Sequence, residues 1–272
     1  MKPELQRRVQ RYGWDKAAAY YEHSWKEQLK PAQDRVLELS DLKPGESVLE
    51  TACGTGLVTE RIAEAIAPGG SIIATDLSGE MTSKTAERLQ SANGVDHSVI
   101  RADAEELPLD DHSVDAAICA LGIMYYPEPL KGLREMQRVL KPGRRAAVVI
   151  WGERGKCGWA EIFPIVEKRV ASDVCPMFFQ QGTGNTLEIT MKMAGLVDVR
   201  TERRKAELHF PDEETVVMAA FAGGPVALAY QKFDEETRQG AHEEYLASIA
   251  PYRNGSGYDI PGEFVYATAR KA

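Results

Sequence analysis

The feature that most constrains this chain is the stretch VLETACGTG, which covers residues 48–56. A short apolar run ends at Glu50, Gly54 and Gly56 follow one residue apart, and an amphipathic segment over 57–66 comes next. Glycine lets the backbone approach a ligand closely, and a helix that starts there offers unpaired N–H groups and the positive end of its dipole. The stretch therefore predicts a strand, a turn and a helix, with a small ligand held on the turn.

The order strand, turn, helix repeats through the next hundred residues, which favours an open α/β fold. Alternation of β-rich and helical runs is typical of βαβ units and hence of a mainly parallel sheet. We therefore predict a compact, doubly wound arrangement. The predicted strands cover 47–50, 71–76, 97–102, 114–120 and 145–151, and the predicted helices lie near 57–66, 79–91 and 128–140.

The flanking segments read as additions to this core within one structural domain. We expect a helical cap over 1–40, a ligand-binding core over 41–151, and the rest of the sheet with inserted cap segments over 152–272. Trp14, Ala18, Tyr21 and Trp25 recur at the spacing of one helical face, and Pro31 suits the opening of a second helix. The later part predicts a helix at 159–171, a helix ending at 194, a strand over 197–210, helical pieces over 212–250 and a last strand over 263–270.

Composition and charge restrict the classes of molecule that the chain can bind. A net charge of -8 and a densest basic run of only three residues, Arg203–Lys205, disfavour binding to nucleic acid. No apolar run is long enough to cross a bilayer, and the amino terminus lacks the apolar core of a signal peptide. The four cysteines form no CxxC pair, and no metal-ligand spacing is present, so no metal is expected. We expect a cytoplasmic protein without a membrane span, and a homodimer stays open.

Acidic residues stand at three successive predicted strand ends. Asp76 lies 20 residues after Gly56, where a carboxylate can accept from both hydroxyls of a ribose. Asp103 follows the third strand and is placed to accept from an adenine amine, with the Ala104 N–H near a ring nitrogen. Glu50 would accept a hydrogen bond from an ammonium or hydroxyl group. The three ends together predict a nucleoside-bearing ligand with a positive amino group.

A dinucleotide is the competing ligand. The fingerprint G-x-G-x-x-G requires a third glycine where this chain has Thr59, and a glutamate before the turn suits a pyrophosphate poorly. A nicotinamide-dependent oxidoreductase is therefore kept as an alternative function.

Three stretches together resemble the class I S-adenosylmethionine-dependent methyltransferases: VLETACGTG, ATDLSGEM, and RADAEELPLDDHSVDAAICALGIMYYPEPLKGLREMQRVLKPG. Within that family they are most similar to the small-molecule group that includes the ubiquinone and menaquinone C-methyltransferases, over residues 10–151. The resemblance implies a seven-stranded Rossmann-like sheet with an antiparallel last strand beside its predecessor, and helical caps. It also implies methyl transfer from S-adenosylmethionine to a small apolar or aromatic acceptor, with S-adenosylhomocysteine as product. A cofactor-binding protein or a cyclase that transfers no methyl is a further alternative.

The resemblance also implies which residues hold the cofactor. Ala52 departs from the family, which usually has glycine there, so Ala52 must keep ordinary dihedrals or adopt a strained one. In the N-terminal cap, Trp25 and either Tyr20 or Tyr21 are expected to contact the cofactor. By resemblance, the methionine part is held by Glu50, Ala52, Gly54 and Gly56, the ribose and adenine by Asp76, Leu77, Met81, Asp103 and Ala104, and the sulfonium lies beside Ala120 and Leu121.

The acceptor pocket and any general base are less determined. Met124, Tyr125 and Tyr126 follow the fourth strand and either line this pocket or anchor the next helix. No catalytic residue is assigned, and the candidates for proton abstraction are His23, His209 and Tyr125. Cys157 and Cys175 raise thiol chemistry, which the lack of a third thiol disfavours. An apolar chamber is indicated by Trp151, Trp159, Phe163, Phe178, Phe179, Phe221 and Tyr245.

Overall fold

The computed structural model describes residues 2–170 and 177–272. Its helices are α1 (Pro3–Ala17), α2 (Tyr21–Ser40), α3 (Leu57–Ile66), α4 (Gly79–Leu89), α5 (Pro129–Val139), α6 (Ile162–Glu167), α7 (Thr186–Met193), α8 (Glu213–Phe221), α9 (Ala227–Tyr230) and α10 (Glu235–Ile249). Its strands are β1 (Ser47–Thr51), β2 (Ser71–Asp76), β3 (Asp96–Arg101), β4 (Val114–Ala120), β5 (Leu140–Trp151), β6 (Leu196–Phe210), β7 (Arg253–Asn254) and β8 (Gly257–Lys271). None of these helices is both long and apolar enough to cross a membrane.

The strands form one sheet in the order β3-β2-β1-β4-β5-β8-β6, and the two-residue β7 pairs with β8. The first five strands run parallel, whereas β8 is antiparallel to both β5 and β6. The sheet confirms the predicted Rossmann-like fold, including the insertion of the last strand beside its predecessor. The strand order reverses between β1 and β4, so their carboxyl ends flank a crevice.

Both faces of the sheet are covered at its centre, where every residue of β1 except Ser47 and every residue of β4 except Ala120 is buried. Side chains alternate between the two faces along a strand. Val48 of β1 therefore packs with Ile62 of α3 on one face, while Leu49 packs in the larger core on the other face with Leu29 and Val36 of α2. This double cover explains why β1 and β4 read as nearly continuous apolar runs.

The N-terminal cap differs from the expectation in two respects. α1 ends at Ala17 and α2 begins at Tyr21, so the predicted single helical face is divided between two helices. The rings of Trp14 and Tyr21 still meet, with centroids 5.8 Å apart. The prediction that Pro31 opens a helix is wrong, because Pro31 lies inside α2. Proline removes one backbone hydrogen bond, but the buried stripe of α2 holds the helix against the sheet.

Boundaries shift most where turn residues lie within an element. β5 begins at Leu140 rather than 145, because Lys141–Gly143 forms an irregular bulge: Val114 pairs with Leu140, but Ala116 pairs with Arg145. β8 begins at Gly257 rather than 263 and pairs with β6 beyond the end of β5. The helix predicted at 159–171 is observed as α6 only, and position 171 lies outside the described residues.

Candidate functional site

The turn after β1 has left-handed backbone at three positions. The φ angles are +55° at Ala52, +58° at Gly54 and +86° at Gly56. Ala52 therefore adopts the strained conformation, which costs about 1 kcal/mol relative to glycine. Its methyl group faces the loop after β4, because a Cβ added at Gly122 would lie 2.4 Å from the Ala52 Cβ. Leu121 in that loop also has φ of +63°, so backbone strain is concentrated at the crevice, as it often is at functional sites.

Asp76, the last residue of β2, connects two loops. The Gly54 N–H donates to Asp76 Oδ2 over 3.0 Å, and the Ser78 N–H donates to Oδ1 over 2.8 Å. The Ser78 hydroxyl in turn caps α4 by accepting from the Met81 N–H. Burial raises the pKa of Asp76 to about 6, and these backbone donors only partly offset that effect.

Glu50 lies behind the turn rather than in the cavity wall. It is 1% exposed, and the Thr59 hydroxyl donates to its Oε2 over 2.6 Å. In the described part of the chain no cation is ion-paired with this carboxyl. Burial raises the pKa of Glu50 to about 8, with a further contribution from the charge of Asp76. Thr59, which stands where a dinucleotide fingerprint needs glycine, is therefore the hydrogen-bond donor to Glu50.

A cavity runs along the carboxyl edge of the sheet, from the ends of β2 and β3 to the end of β5. Asp76 and Asp103 stand at one end, and Trp151 and Trp159 at the other. It comprises about 1010 Å³ of space free of protein atoms, part of it open to solvent.

Helices α1 and α2 form the outer wall of this cavity. Arg7, Gln10 and Trp14 contribute from α1. Arg7 Nε lies 2.6 Å from Asp103 Oδ2, and the same guanidinium ion-pairs with Glu105, whose side chain is 2% exposed. The cap is thus attached to the loop after β3 by charge-assisted hydrogen bonds.

Twelve of the candidates for cofactor binding or proton abstraction line the cavity: Tyr21, Trp25, Ala52, Gly54, Asp76, Leu77, Met81, Asp103, Ala104, Ala120, Leu121 and Tyr125. Asp103 already engages Arg7 and accepts from the Glu105 N–H over 2.9 Å, so its role toward adenine stays a prediction. Gly56 is outside the wall and packs on Thr85 of α4. Arg7, Gln10 and Trp14 line the cavity as well; of these, sequence reasoning singled out only Trp14, and no local pattern distinguishes the other two.

The remaining candidates for cofactor binding or proton abstraction lie outside the cavity wall. Tyr20 is 44% exposed, whereas burial and the nearby Asp76 raise the pKa of Tyr21, which faces the cavity. His23 is exposed. The His209 side chain is 70% exposed, and its Nδ1 lies 2.6 Å from Asp259 Oδ1. Of the described cavity residues, none is a histidine.

The two tyrosines after β4 have different surroundings. The Tyr125 ring meets Trp14 at 5.0 Å and Phe178 at 5.4 Å between centroids, inside the cavity wall. Tyr126 packs against α5, since a Cβ at Gly132 would lie 2.6 Å from its ring. Its hydroxyl contacts Cys119 Sγ at 3.5 Å. Tyr126 lines the cavity as well and also anchors the following helix, so it combines the two roles considered for this group.

The far end of the cavity is aromatic. Trp159 contacts Trp25 and Trp151, and Phe178 packs behind it. Phe221 and Tyr245 pack on each other elsewhere and do not line the cavity, so only part of the predicted chamber is assembled here.

Cys157 is a buried thiol whose pKa burial raises to about 11, and Cys175 lies outside the described residues. Within residues 2–170 and 177–272, no cluster of three or more potential metal ligands occurs.

Residues 48–143 match the family model described as "Methyltransferase domain". A curated relative, the ubiquinone/menaquinone biosynthesis C-methyltransferase UbiE of Ectopseudomonas mendocina, is 33% identical over 147 residues. That alignment covers 50% of this chain, and the chain spans only 57% of the length of the relative.

Solved structures share the fold. A SAM-dependent methyltransferase from Aquifex aeolicus superposes with a TM-score of 0.52 at 22% identity, covering 71% of this chain and 92% of that chain. The 4+2 cyclase SpnF superposes with a TM-score of 0.58 at 20% identity, covering 92% of this chain and 83% of that chain. Because both identities are low, these likenesses concern the fold alone.

Proposed function

We propose that the chain is a class I S-adenosylmethionine-dependent methyltransferase and that it transfers a methyl group to a small apolar or aromatic acceptor. The observation that carries the proposal is one continuous cavity whose two ends differ in their chemistry. One end offers the glycine turn and the carboxylates of Asp76 and Asp103, and the other offers the indoles of Trp151 and Trp159. Such a cavity suits a polar nucleoside cofactor beside an apolar acceptor.

The residues of the polar end fit the cofactor. A Cβ at Gly54 would meet no atom within 4 Å, so the turn borders open space, and the amino-acid part of the cofactor would lie there. Asp76 would hold the ribose, with Leu77 and Met81 against the adenine. The bound cofactor supplies an electrophilic methyl group on a sulfonium cation, which the ring faces of Tyr21 and Trp25 would attract.

The contribution of the protein to the reaction is positioning and exclusion of water. The loop after β4, Ala120–Gly122, stands between the two ends of the cavity, and the aromatic wall beyond it is buried. Alignment of two reactants in a water-poor pocket accounts for a large share of catalysis in this type of transfer. Tyr125 is the candidate proton acceptor that lines the cavity.

Incubation with methyl-labelled S-adenosylmethionine tests the proposal. The acceptor panel consists of quinols, phenols and amines, beginning with quinols because the curated relative is named for quinone biosynthesis. We expect label in an acceptor and an equal amount of S-adenosylhomocysteine. An acceptor that is converted without label would instead indicate a cyclase.

Thermal-shift measurements separate the remaining alternatives. The proposal requires stabilisation by S-adenosylmethionine and S-adenosylhomocysteine. Stabilisation by NAD alone would contradict it and would favour an oxidoreductase. Stabilisation by the methyl donor without turnover on any acceptor would favour a cofactor-binding protein.

A further inference from the structure

Trp159 is held rigidly in the aromatic end of the cavity. It follows β5, is 4% exposed and lines the cavity. Its ring centroid lies 4.8 Å from that of Trp151, 6.2 Å from that of Trp25 and 5.6 Å from that of Phe178. Rings packed on several sides cannot rotate without moving their neighbours, so the position of the indole nitrogen is fixed.

The indole N–H of Trp159 has no hydrogen-bond partner in the described part of the chain, although it is buried. One other buried cavity-wall nitrogen lacks a hydrogen bond, Arg7 Nε, but it lies 2.6 Å from Asp103 Oδ2 and is ion-paired. Trp159 Nε1 is therefore the one unpaired buried side-chain donor among the described residues that line the cavity. Leaving such a donor unpaired costs about 1–3 kcal/mol, so a group that accepts from it would recover that free energy.

The surroundings of this donor restrict what can accept from it. Trp25, Leu29, Trp151, Gly224 and Pro225 line the same end of the cavity, and none of them carries a charge. A permanently charged ligand group would lose its hydration there without gaining an ion pair. A neutral oxygen on an aromatic ring satisfies both the donor and the apolar wall.

We propose that the Trp159 indole N–H donates a hydrogen bond to a ring oxygen of the methyl acceptor. Trp159 thereby selects aromatic acceptors that carry a hydroxyl or carbonyl group over hydrocarbons of the same shape. This inference rests on the proposed function for the identity of the ligand as an acceptor. A site that pairs with a ligand oxygen rejects the analogue without it, because its own buried polar group is then left unpaired.

Nuclear magnetic resonance of the indole N–H groups tests this directly. The chain has four tryptophans, so four indole signals are expected in the ¹⁵N-labelled full-length protein, and Trp159→Phe assigns one of them. With S-adenosylhomocysteine present, the protein is titrated with 1-naphthol and, separately, with naphthalene. We expect the Trp159 N–H proton to move downfield with 1-naphthol and not with naphthalene.

Affinities provide the second readout. Wild-type protein is expected to bind 1-naphthol at least tenfold more tightly than naphthalene. Trp159→Phe keeps an aromatic ring and is expected to lose this preference, because it weakens the binding of 1-naphthol more than that of naphthalene. Trp151→Phe removes an indole N–H from the same cluster and is expected to keep the preference.

Three results would overturn the proposal: no preference in the wild type, a preference retained by Trp159→Phe, or equal movement of the Trp159 signal with both probes. If Trp159→Phe fails to fold, Trp14→Phe, Trp25→Phe and Trp151→Phe assign the other three indole signals, and the wild-type signal that is left still decides the matter. These readouts do not require turnover. Absence of S-adenosylhomocysteine binding would instead contradict the proposed function, so the two failures are distinguishable.

Discussion

The backbone N–H of Gly54 donates to the carboxylate of Asp76 over 3.0 Å, which ties the turn after β1 to the last residue of β2. The other carboxylate oxygen accepts from Ser78 at the start of α4. Asp76 therefore aligns both loops that border the polar end of the cavity before any ligand is bound, and pre-alignment of this kind lowers the entropic cost of binding.

Gly54→Ala should weaken cofactor binding more than it weakens the fold. At φ of +58° an alanine costs about 1 kcal/mol of stability. The new methyl group would enter the open space beside the turn. We expect the Kd for S-adenosylhomocysteine, measured by titration calorimetry, to rise at least tenfold.

Gly143→Ala is the matched control. Gly143 has φ of +73°, a Cβ added there would also meet no atom within 4 Å, and the residue lies in the bulge of β5 outside the cavity wall. In urea unfolding, Gly143→Ala should lose about as much stability as Gly54→Ala. Its Kd for S-adenosylhomocysteine should stay at the wild-type value. Equal affinities for the two variants would exclude the turn as the binding surface.

Stability of the ligand-free protein should fall as pH rises through the pKa of Glu50. The folded-state pKa of about 8 exceeds the ordinary glutamate value of 4.5, so the folded state retains a proton that the unfolded state has released. The resulting stability is fully present below pH 4.5 and is lost as pH approaches 8, at about 1.4 kcal/mol per pKa unit.

Glu50→Gln tests this dependence, because glutamine is neutral and can still accept from the Thr59 hydroxyl. Urea unfolding should give similar stabilities for variant and wild type at pH 5. At pH 8 the variant should be more stable by on the order of a few kcal/mol. Parallel stability curves for the two proteins would show that Glu50 is ionised in the folded state.

Tyr21→Phe and Tyr20→Phe distinguish two adjacent residues that the sequence leaves equivalent. Tyr21 lines the cavity near Asp76, whereas Tyr20 is 44% exposed. We expect the Tyr21 hydroxyl to form a hydrogen bond with the bound ligand. Loss of one hydrogen bond in a buried site corresponds to about 1 kcal/mol, so Tyr21→Phe should weaken binding of S-adenosylhomocysteine roughly fivefold. Tyr20→Phe should leave the Kd unchanged, and the opposite ranking would assign the contact to Tyr20.

Arg7→Met should release α1 from the loop after β3. It leaves the buried carboxyl of Glu105 without its cation, at a cost of about 1–3 kcal/mol. Hydrogen exchange over Pro3–Ala17 should accelerate, and affinity for S-adenosylhomocysteine should fall because α1 lines the cavity. Arg8→Met is the control, since Arg8 is exposed on the same helix. Equal exchange in both variants would argue against the Arg7 contacts.

His23→Ala and His209→Ala should each retain methyl transfer within twofold of wild type. Neither histidine lines the cavity, so neither is placed to take a proton from an acceptor. Initial rates at saturating S-adenosylmethionine across pH 6–9 provide the measurement. A loss of more than tenfold in either variant would require a second arrangement of the chain that brings that histidine to the cavity.

Much of the polar end of the site was readable from the sequence, because its features are local. Each feature is defined within a few residues: an apolar run that stops at Glu50, glycines at 54 and 56, and Asp76 at the end of the next apolar run. A parallel sheet brings the carboxyl ends of its strands to one edge, so these features meet there. The pattern could not show that Arg7 engages Asp103 and Glu105, since Arg7 and Glu105 are 98 residues apart and meet only after α1 packs.

By itself, the sequence determined the alternation of strands and helices and the strand, turn and helix over 47–66, since periodicity and turn chemistry act over short distances. The insertion of the last strand followed only from the resemblance to a known family. Only the tertiary structure decided which aromatic side chains form the aromatic end of the cavity. Trp151 and Trp159 meet there while Phe221 and Tyr245 pack elsewhere, although all four are large aromatic residues in the sequence. Hydrophobicity drives burial but has no direction, so the choice between core and cavity depends on which segments the sheet brings together.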